Sequence, residues 1–354
     1  MQAGKYASKA LALLLALALA LLCAVPAFAA STPEAGLAAV LNYLDGKKAS
    51  MAFAAGESEW KALAMARGGK SVPAAYLTSL ENAVKAGPLS AATDYARTVL
   101  ALTAMGVNAA SFANTDLTAP LKNKTFVTDS IPNGPTFALL ALNSKLYTYP
   151  SGYDLELVDV LVGAFSNTAG WNPGGIYAPV GMDIDATAMA LQALAPYYSR
   201  TNVKTVVDKA LALLTAAQLT GGAFGNDWGG GAFDDACSTA QVITALSILG
   251  KDAAAYFPKN AVAALLTFQE SNGAFDIAYG ENPWADSQAA YALVAYNRYK
   301  TGANSLYNMG PEPTRLDRWE AKLPGWLGFL KAWPDWIEWI VYYVFFGWIW
   351  DVIS

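Results

Sequence analysis

The chain has 354 residues, 55% hydrophobic and only 14% charged, with 23 Lys and Arg against 28 Asp and Glu, 2 Cys and no His. Without an imidazole there is no Ser-His or Cys-His nucleophile pair and no His metal ligand, so acid–base work falls to carboxylates, Lys, Tyr or a thiol. The length allows a sizeable buried core, and a net charge of −5 repels phosphate backbones, so nucleic acid is not an expected partner.

Lys5 and Lys9 precede an apolar run from Ala10 to Leu22, followed by Pro26 and Ala27-Phe28-Ala29. That is the order of a secretory signal peptide over residues 1–29, which predicts export. Cys237 is the one thiol left after cleavage, so stability is expected from packing and not from a disulfide.

From Glu34 onward two kinds of segment alternate. Amphipathic stretches fall at roughly Glu34–Leu44, Pro73–Val84, Ala109–Leu121, Leu155–Phe165, Val203–Ala217 and Asn260–Gln269. In the fifth, Val203, Val206, Val207, Ala210, Leu211, Leu213 and Leu214 keep helical spacing, with Lys204, Asp208 and Lys209 opposite. Between them lie Ala-rich segments that are apolar nearly all round, as in a helix buried on most sides. The clearest are Asp185–Leu194, Cys237–Leu246 and Asp286–Ala295; Trp60–Arg67, Asp94–Met105 and Pro135–Leu142 are weaker relatives. An open array would leave the buried set bare along one side. The pattern therefore predicts an all-α chain whose residues 30–310 form an (α/α)6 toroid, six helical hairpins with an inner and an outer ring.

Two outer segments end alike, in Gln218-x-x-x-Gly222-x-Phe224 and Gln269-x-x-x-Gly273-x-Phe275, and a degenerate copy stands at Gly170-Trp171. The glycines are expected to supply left-handed backbone at the helix stop, with the aromatic packed over the turn. These residues resemble the α/α-toroid superfamily of squalene-hopene cyclases, protein prenyltransferase β subunits and cobalamin carriers. The likeness covers residues 34 to 308. Gln-x-x-x-Gly-x-Phe is similar to the glutamine-tryptophan repeat of the cyclases, with Phe in place of Trp. Asp183-Ile-Asp185-Ala186-Thr187-Ala188 resembles the cyclase Asp-x-Asp-Asp-Thr-Ala motif, which implies Asp185 as an alkene-protonating acid supported by Asp183; the third Asp is replaced by Ala186. The same two carboxylates also suit a helix cap.

Asp235-Ala236-Cys237 is similar to the Asp-x-Cys zinc pair of the prenyltransferases, but Ser287 and Gln288 stand near Asp286 where that site takes a His, so no metal and no cofactor is expected. Asn226, Asp227, Asp234 and Asp235 surround a Gly-rich run whose spacing fits no EF-hand; a polar turn is the commoner reading.

Asp94, Asp185, Asp235 and Asp286 all fall near inner-helix starts, which share one rim in a closed ring, and Trp171, Phe224, Trp228, Phe233 and Trp284 lie in the loops leading there. Carboxylates with aromatics suit a neutral or cationic ligand with a planar or apolar body, including a glycan, a corrinoid or a peptide. Alternatively the aromatics plug the turns and side chains fill the lumen.

Pro311-Glu312-Pro313 ends the repeats, and Trp319–Trp350 then holds seven of the eleven Trp. Trp339–Trp350 is uncharged and as a helix reaches about 18 Å, short of a hydrocarbon core of roughly 30 Å. Residues 311–354 are therefore expected to be an aromatic helical tail that associates with membrane or cell envelope through residues 320–354, or folds back onto the toroid. The leading expectation is an exported, cell-surface-associated toroid that binds a ligand at its rim without catalysis. The alternatives are a terpene cyclase or mutase acting through Asp185, and a structural adhesion module.

Overall fold

A computed structural model describes residues 32–314, 317, 318 and 321, except residues 88, 146, 176–177 and 278–281. The chain divides into two units, Met1–Thr32 and Pro33–Ser354, and every helix described belongs to the second. The expected signal peptide and nearly all of the aromatic tail lie outside the described residues.

The described residues are all-helical, with isolated bridges closing turns in place of strands. Twelve α-helices follow in order: α1 (Pro33–Gly46), α2 (Ser58–Arg67), α3 (Ala74–Ala86), α4 (Ala92–Ala104), α5 (Lys124–Val127), α6 (Asn133–Asn143), α7 (Tyr153–Gly163), α8 (Ile184–Leu194), α9 (Thr201–Ala217), α10 (Ala236–Ile248), α11 (Ala261–Leu266) and α12 (Pro283–Thr301). The even-numbered helices are the Ala-rich set. In α10 every residue from Ser238 to Ser247 is buried. Its small side chains allow neighbours to approach on all sides. The odd-numbered helices are one-faced. In α9 Val203, Val206, Val207, Ala210, Leu211 and Leu214 are buried while Lys204, Asp208 and Lys209 are exposed; Leu213 is half-buried at the edge of the stripe.

Packing among the even helices runs α2–α4–α6–α8–α10–α12, and α12 also packs against α2. Four of the one-faced helices pack against members of this series: α1 touches α2 and α12, α7 touches α6, α9 touches α8 and α11 touches α10. The repeated glutamines tie successive one-faced helices together. Gln218 Nε2 donates to the Gly222 and Lys259 carbonyls, both at 2.9 Å, and its Oε1 accepts from Lys259 N at 3.0 Å, beside the start of α11. Gln269 Nε2 donates to the Gly36 carbonyl in α1 at 2.9 Å, linking the last one-faced helix to the first. Gly222 and Gly273 take φ of 95° and 93°, the left-handed backbone expected after each helix.

The third amphipathic segment departs from expectation. Ala109–Leu121 is not one helix but a short 3-10 turn at Ala109–Ser111 and another at Pro120–Lys122, before the single α-turn of α5. Asn108 caps the first turn, and Ala113 and Asn114 at φ of 53° and 60° fold the chain back so that Phe112 pairs with Thr115. Local side-chain bonding and a Pro displaced the helix that hydrophobic spacing favoured.

Candidate functional site

The starts of the even helices gather the predicted carboxylates. Asp183 is the N-cap of α8: its Oδ1 accepts from Ala186 N at 2.9 Å. Asp235 caps α10 in the same way, accepting from Ser238 N at 2.9 Å. Asp94 sits in the first turn of α4 and accepts from Ala91 N at 3.0 Å and Ser90 N at 3.3 Å. Burial works against its charge, but those N–H groups and Arg97 hold its carboxyl below the ordinary range. Asp286, buried in the first turn of α12, accepts from Phe275 N at 2.7 Å. Asp94, Asp183 and Asp235 meet backbone donors at or just before a helix start, whereas Asp286 accepts from the turn before α12.

Asp185 differs. It lies one residue inside α8, half-buried, with Oδ2 accepting from Asn226 Nδ2 at 3.2 Å, whereas Oδ1 is shut off from solvent and has no hydrogen-bond partner. Burial, then the neighbouring Asp183 charge and Asp235, raise its carboxyl to about 7, with Ser238 and Asn226 partly opposing. Burial also raises Asp183. The Asn226 amide holds the pair together, since its Oδ1 accepts from Ile184 N at 2.7 Å.

Cys237 is a free thiol pushed far above its ordinary value by burial and by Asp235, Asp185 and Asp286, which makes it a poor nucleophile. Lys61 on α2 feels Asp286 and Glu57, although burial keeps its ammonium below the usual value. Among the described residues no three Cys, Asp or Glu side chains form a cluster able to hold a metal. The Gly-rich run is a turn: Asp227 Oδ1 accepts from Gly229 N at 2.8 Å and Gly231 N at 2.9 Å, and Asn226 is committed to α8.

The predicted aromatics separate into two groups. Trp171 and Phe224 are fully buried turn plugs, so neither has a face for a ligand. Trp171 Nε1 donates to the Leu161 carbonyl at 2.8 Å. Trp228, Phe233 and Trp284 are exposed, and Trp284 lies over Gly56, where an added Cβ would stand 3.1 Å from its ring. That brings Trp284 beside Arg97, which pairs with Asp94 at 2.6 Å and lies 3.7 Å from Glu59.

Glu59 was not predicted. It is fully buried in the first turn of α2, accepts from Gly56 N at 3.0 Å and from the Ser58 hydroxyl at 3.2 Å, and is raised by burial. Its signal was an acid in the first turn of an Ala-rich helix, second in α2 where Asp286 is fourth in α12. Thr187 and Thr239, which bond the turn aromatics, were also missed, though both stand two residues after an aligned helix-start position. Nothing in the sequence pointed Asn226 at α8, 42 residues away.

Beneath these helix starts the interior is filled. Trp60 of α2 packs on Phe137 of α6 at 5.8 Å between ring centroids and on Tyr291 of α12 at 5.5 Å. A buried polar chain runs alongside, from the Tyr307 hydroxyl to Gln192 at 3.1 Å, Gln192 to Gln241 at 3.0 Å, and Gln241 to Gln288 at 2.9 Å and to Tyr291. No protein-family model matches the chain, and no curated protein matches it.

Proposed function

We propose that the chain is an (α/α)6 toroid of the kind it resembles in sequence, and that it binds a ligand at the rim where its inner helices begin, without performing chemistry. The cyclic packing order of the six Ala-rich helices and the Gln269–Gly36 link support the closed ring. The observation that carries the binding reading is Asp185, which keeps a buried oxygen unpartnered among Asp183, Asp235 and Asn226 while Trp228 and Trp284 stand exposed. An unpaired buried polar atom costs about 1–3 kcal/mol, and a ligand donor supplied there recovers it. A thermal-shift screen of the chain with corrinoids, glycans and peptides is expected to yield a stabilising ligand whose shift disappears in Asp185→Asn. A screen with no shift, or shifts unchanged by the substitution, overturns the assignment.

One observation favours a second reading. A carboxyl raised to about 7 is substantially protonated at neutral pH, the state a class II terpene cyclase acid requires. Against turnover stands the Trp60–Phe137–Tyr291 packing, which takes up interior space that a folded isoprenoid would need. Incubation with squalene and shorter isoprenoids, with products analysed by mass spectrometry, decides between them: products lost in Asp185→Asn replace binding with catalysis.

Export and surface attachment belong to the same proposal, on the signal-like residues 1–29 and the Trp-rich residues 320–354. Among the described residues no helix is long and apolar enough to cross a membrane. Deleting residues 320–354 is expected to release the exported chain into the medium without lowering its melting temperature, whereas early melting assigns the tail to the fold.

A further inference from the structure

The opposite ends of the inner helices hold a feature that the rim reading does not use. The C-terminal ends of α6, α8 and α10, the start of α7 and the segment Ser305–Pro311 line an open cavity of about 1090 Å³. That is at or beyond the upper range of ordinary small-molecule sites. Part of its wall is apolar, from Leu139, Leu140, Ile248 and Met309.

Its polar wall is a directional hydrogen-bond chain. The Tyr149 hydroxyl donates to Asn143 Oδ1 at 3.0 Å, Asn143 Nδ2 donates to the Tyr197 hydroxyl at 2.9 Å, and that hydroxyl donates to Asp154 Oδ2 at 3.0 Å. All four residues line the cavity, and all are half-buried. Burial, with Asp154 beside it, keeps the Tyr197 hydroxyl protonated far above its ordinary value, so the chain keeps its direction and ends on a carboxylate. Three helix C-termini add negative partial charge at the same mouth, against one N-terminus, that of α7, whose first turn holds Asp154. The one cationic side chain in the lining, Lys145, is exposed. Its charge is therefore screened by water, while Asp154 and the helix ends act from partly buried positions.

We infer that this cavity is a binding site for an organic cation, a protonated amine carried on an apolar body, with the charge seated between Asp154 and the rings of Tyr149 and Tyr197 and the body against Leu139, Leu140 and Met309. A carboxylate and tyrosine rings favour a cation over a neutral molecule of the same shape. The volume accommodates either a small free amine or the side chain of a lysine presented by a peptide.

Calorimetric titration of the full chain at pH 7.5 with hexylammonium, 1-hexanol and a blocked lysine tripeptide tests this. Hexylammonium is expected to bind roughly tenfold or more tightly than hexanol, a preference lost in Asp154→Asn and reduced in Tyr149→Leu. The tighter of hexylammonium and the tripeptide identifies the source of the amine. Equal affinity for hexylammonium and hexanol, binding of neither, or ammonium binding unchanged in a folded Asp154→Asn protein overturns the inference. Circular dichroism of each variant establishes folding, and Tyr149→Leu carries the test if Asp154→Asn does not fold.

Discussion

The Ala-rich helices start and end in different physical circumstances. At their starts Glu59, Asp94, Asp183 and Asp235 each accept from a backbone N–H three residues away, and Asp286 accepts from Phe275 N in the turn before its helix. The interior below is closed by Trp60, Phe137 and Tyr291. At their ends, α6, α8 and α10 line a cavity whose polar groups bond to one another in a chain that ends on the half-buried Asp154 carboxylate. Helix starts therefore carry charge whether or not a ligand exists, because capping alone accounts for it. Asp185, which accepts from the Asn226 amide, and Asp154, in the first turn of α7 but bonded to the Tyr197 hydroxyl, accept from side chains instead of backbone.

The largest expected effect comes from opening the closed end. Trp60→Ala removes the ring that spans α2, α6 and α12, and should cost about 3–5 kcal/mol in chemical denaturation. A loss below 1 kcal/mol would mean that the interior at the helix starts is not close-packed, and the contrast between the two ends would fall.

Next is the pH dependence of Asp185. The folded chain holds a proton at pH values where the unfolded carboxyl, with an ordinary value of 3.8, has lost it. The Asp185 contribution to stability is then greatest below about 4, falls as pH rises, and levels off above about 7, a span of roughly 4 kcal/mol at about 1.36 kcal/mol per unit. Glu59 and Asp183, also raised by burial, tilt the curve in the same direction. Melting temperatures from pH 4 to 8 should decline in the parent chain and much less in Asp185→Asn. In Asn226→Ala, loss of two hydrogen bonds should cost about 1–3 kcal/mol and carry the decline to higher pH, because Asn226 lowers the Asp185 value. Asp154→Asn at the other end should leave this profile where it is.

The same contrast explains what was legible in the sequence. The Ala-rich helices and their start carboxylates stood out because burial all round and capping leave local signatures, as in Asp183–Ala186 and Asp235–Ser238. The broken segment at Ala109–Leu121 did not, because Asn108, Ala113 and Asn114 act through backbone geometry that hydrophobic spacing does not record. The cavity was invisible for a different reason. Asn143 reaches Tyr197 across 54 residues and Tyr307 reaches Gln192 across 115, and neither pair stands in a repeat. Trp171 and Phe224 were read as possible ligand contacts because composition places an aromatic in a loop without saying which way it faces.

The smallest predicted effect tests whether those two aromatics belong to a repeated structural device. Trp171 N donates to Thr187 Oγ1 at 3.1 Å, and Phe224 N donates to Thr239 Oγ1 at 2.9 Å; in the last repeat Phe275 N donates to Asp286 at 2.7 Å. In all three, a side chain in the first turn of an Ala-rich helix fixes the backbone of a buried aromatic in the turn before it. Val has nearly the shape of Thr but no acceptor, so Thr187→Val and Thr239→Val each strand a buried N–H. Each should cost about 1–2 kcal/mol, and the double variant should lose close to the sum because the sites share no partner. Strong non-additivity would reveal that the two turns move together, which a rim of independently pinned helix starts does not permit. Unchanged binding of the hexylammonium probe in the double variant would then separate the scaffolding at one end of the helices from recognition at the other.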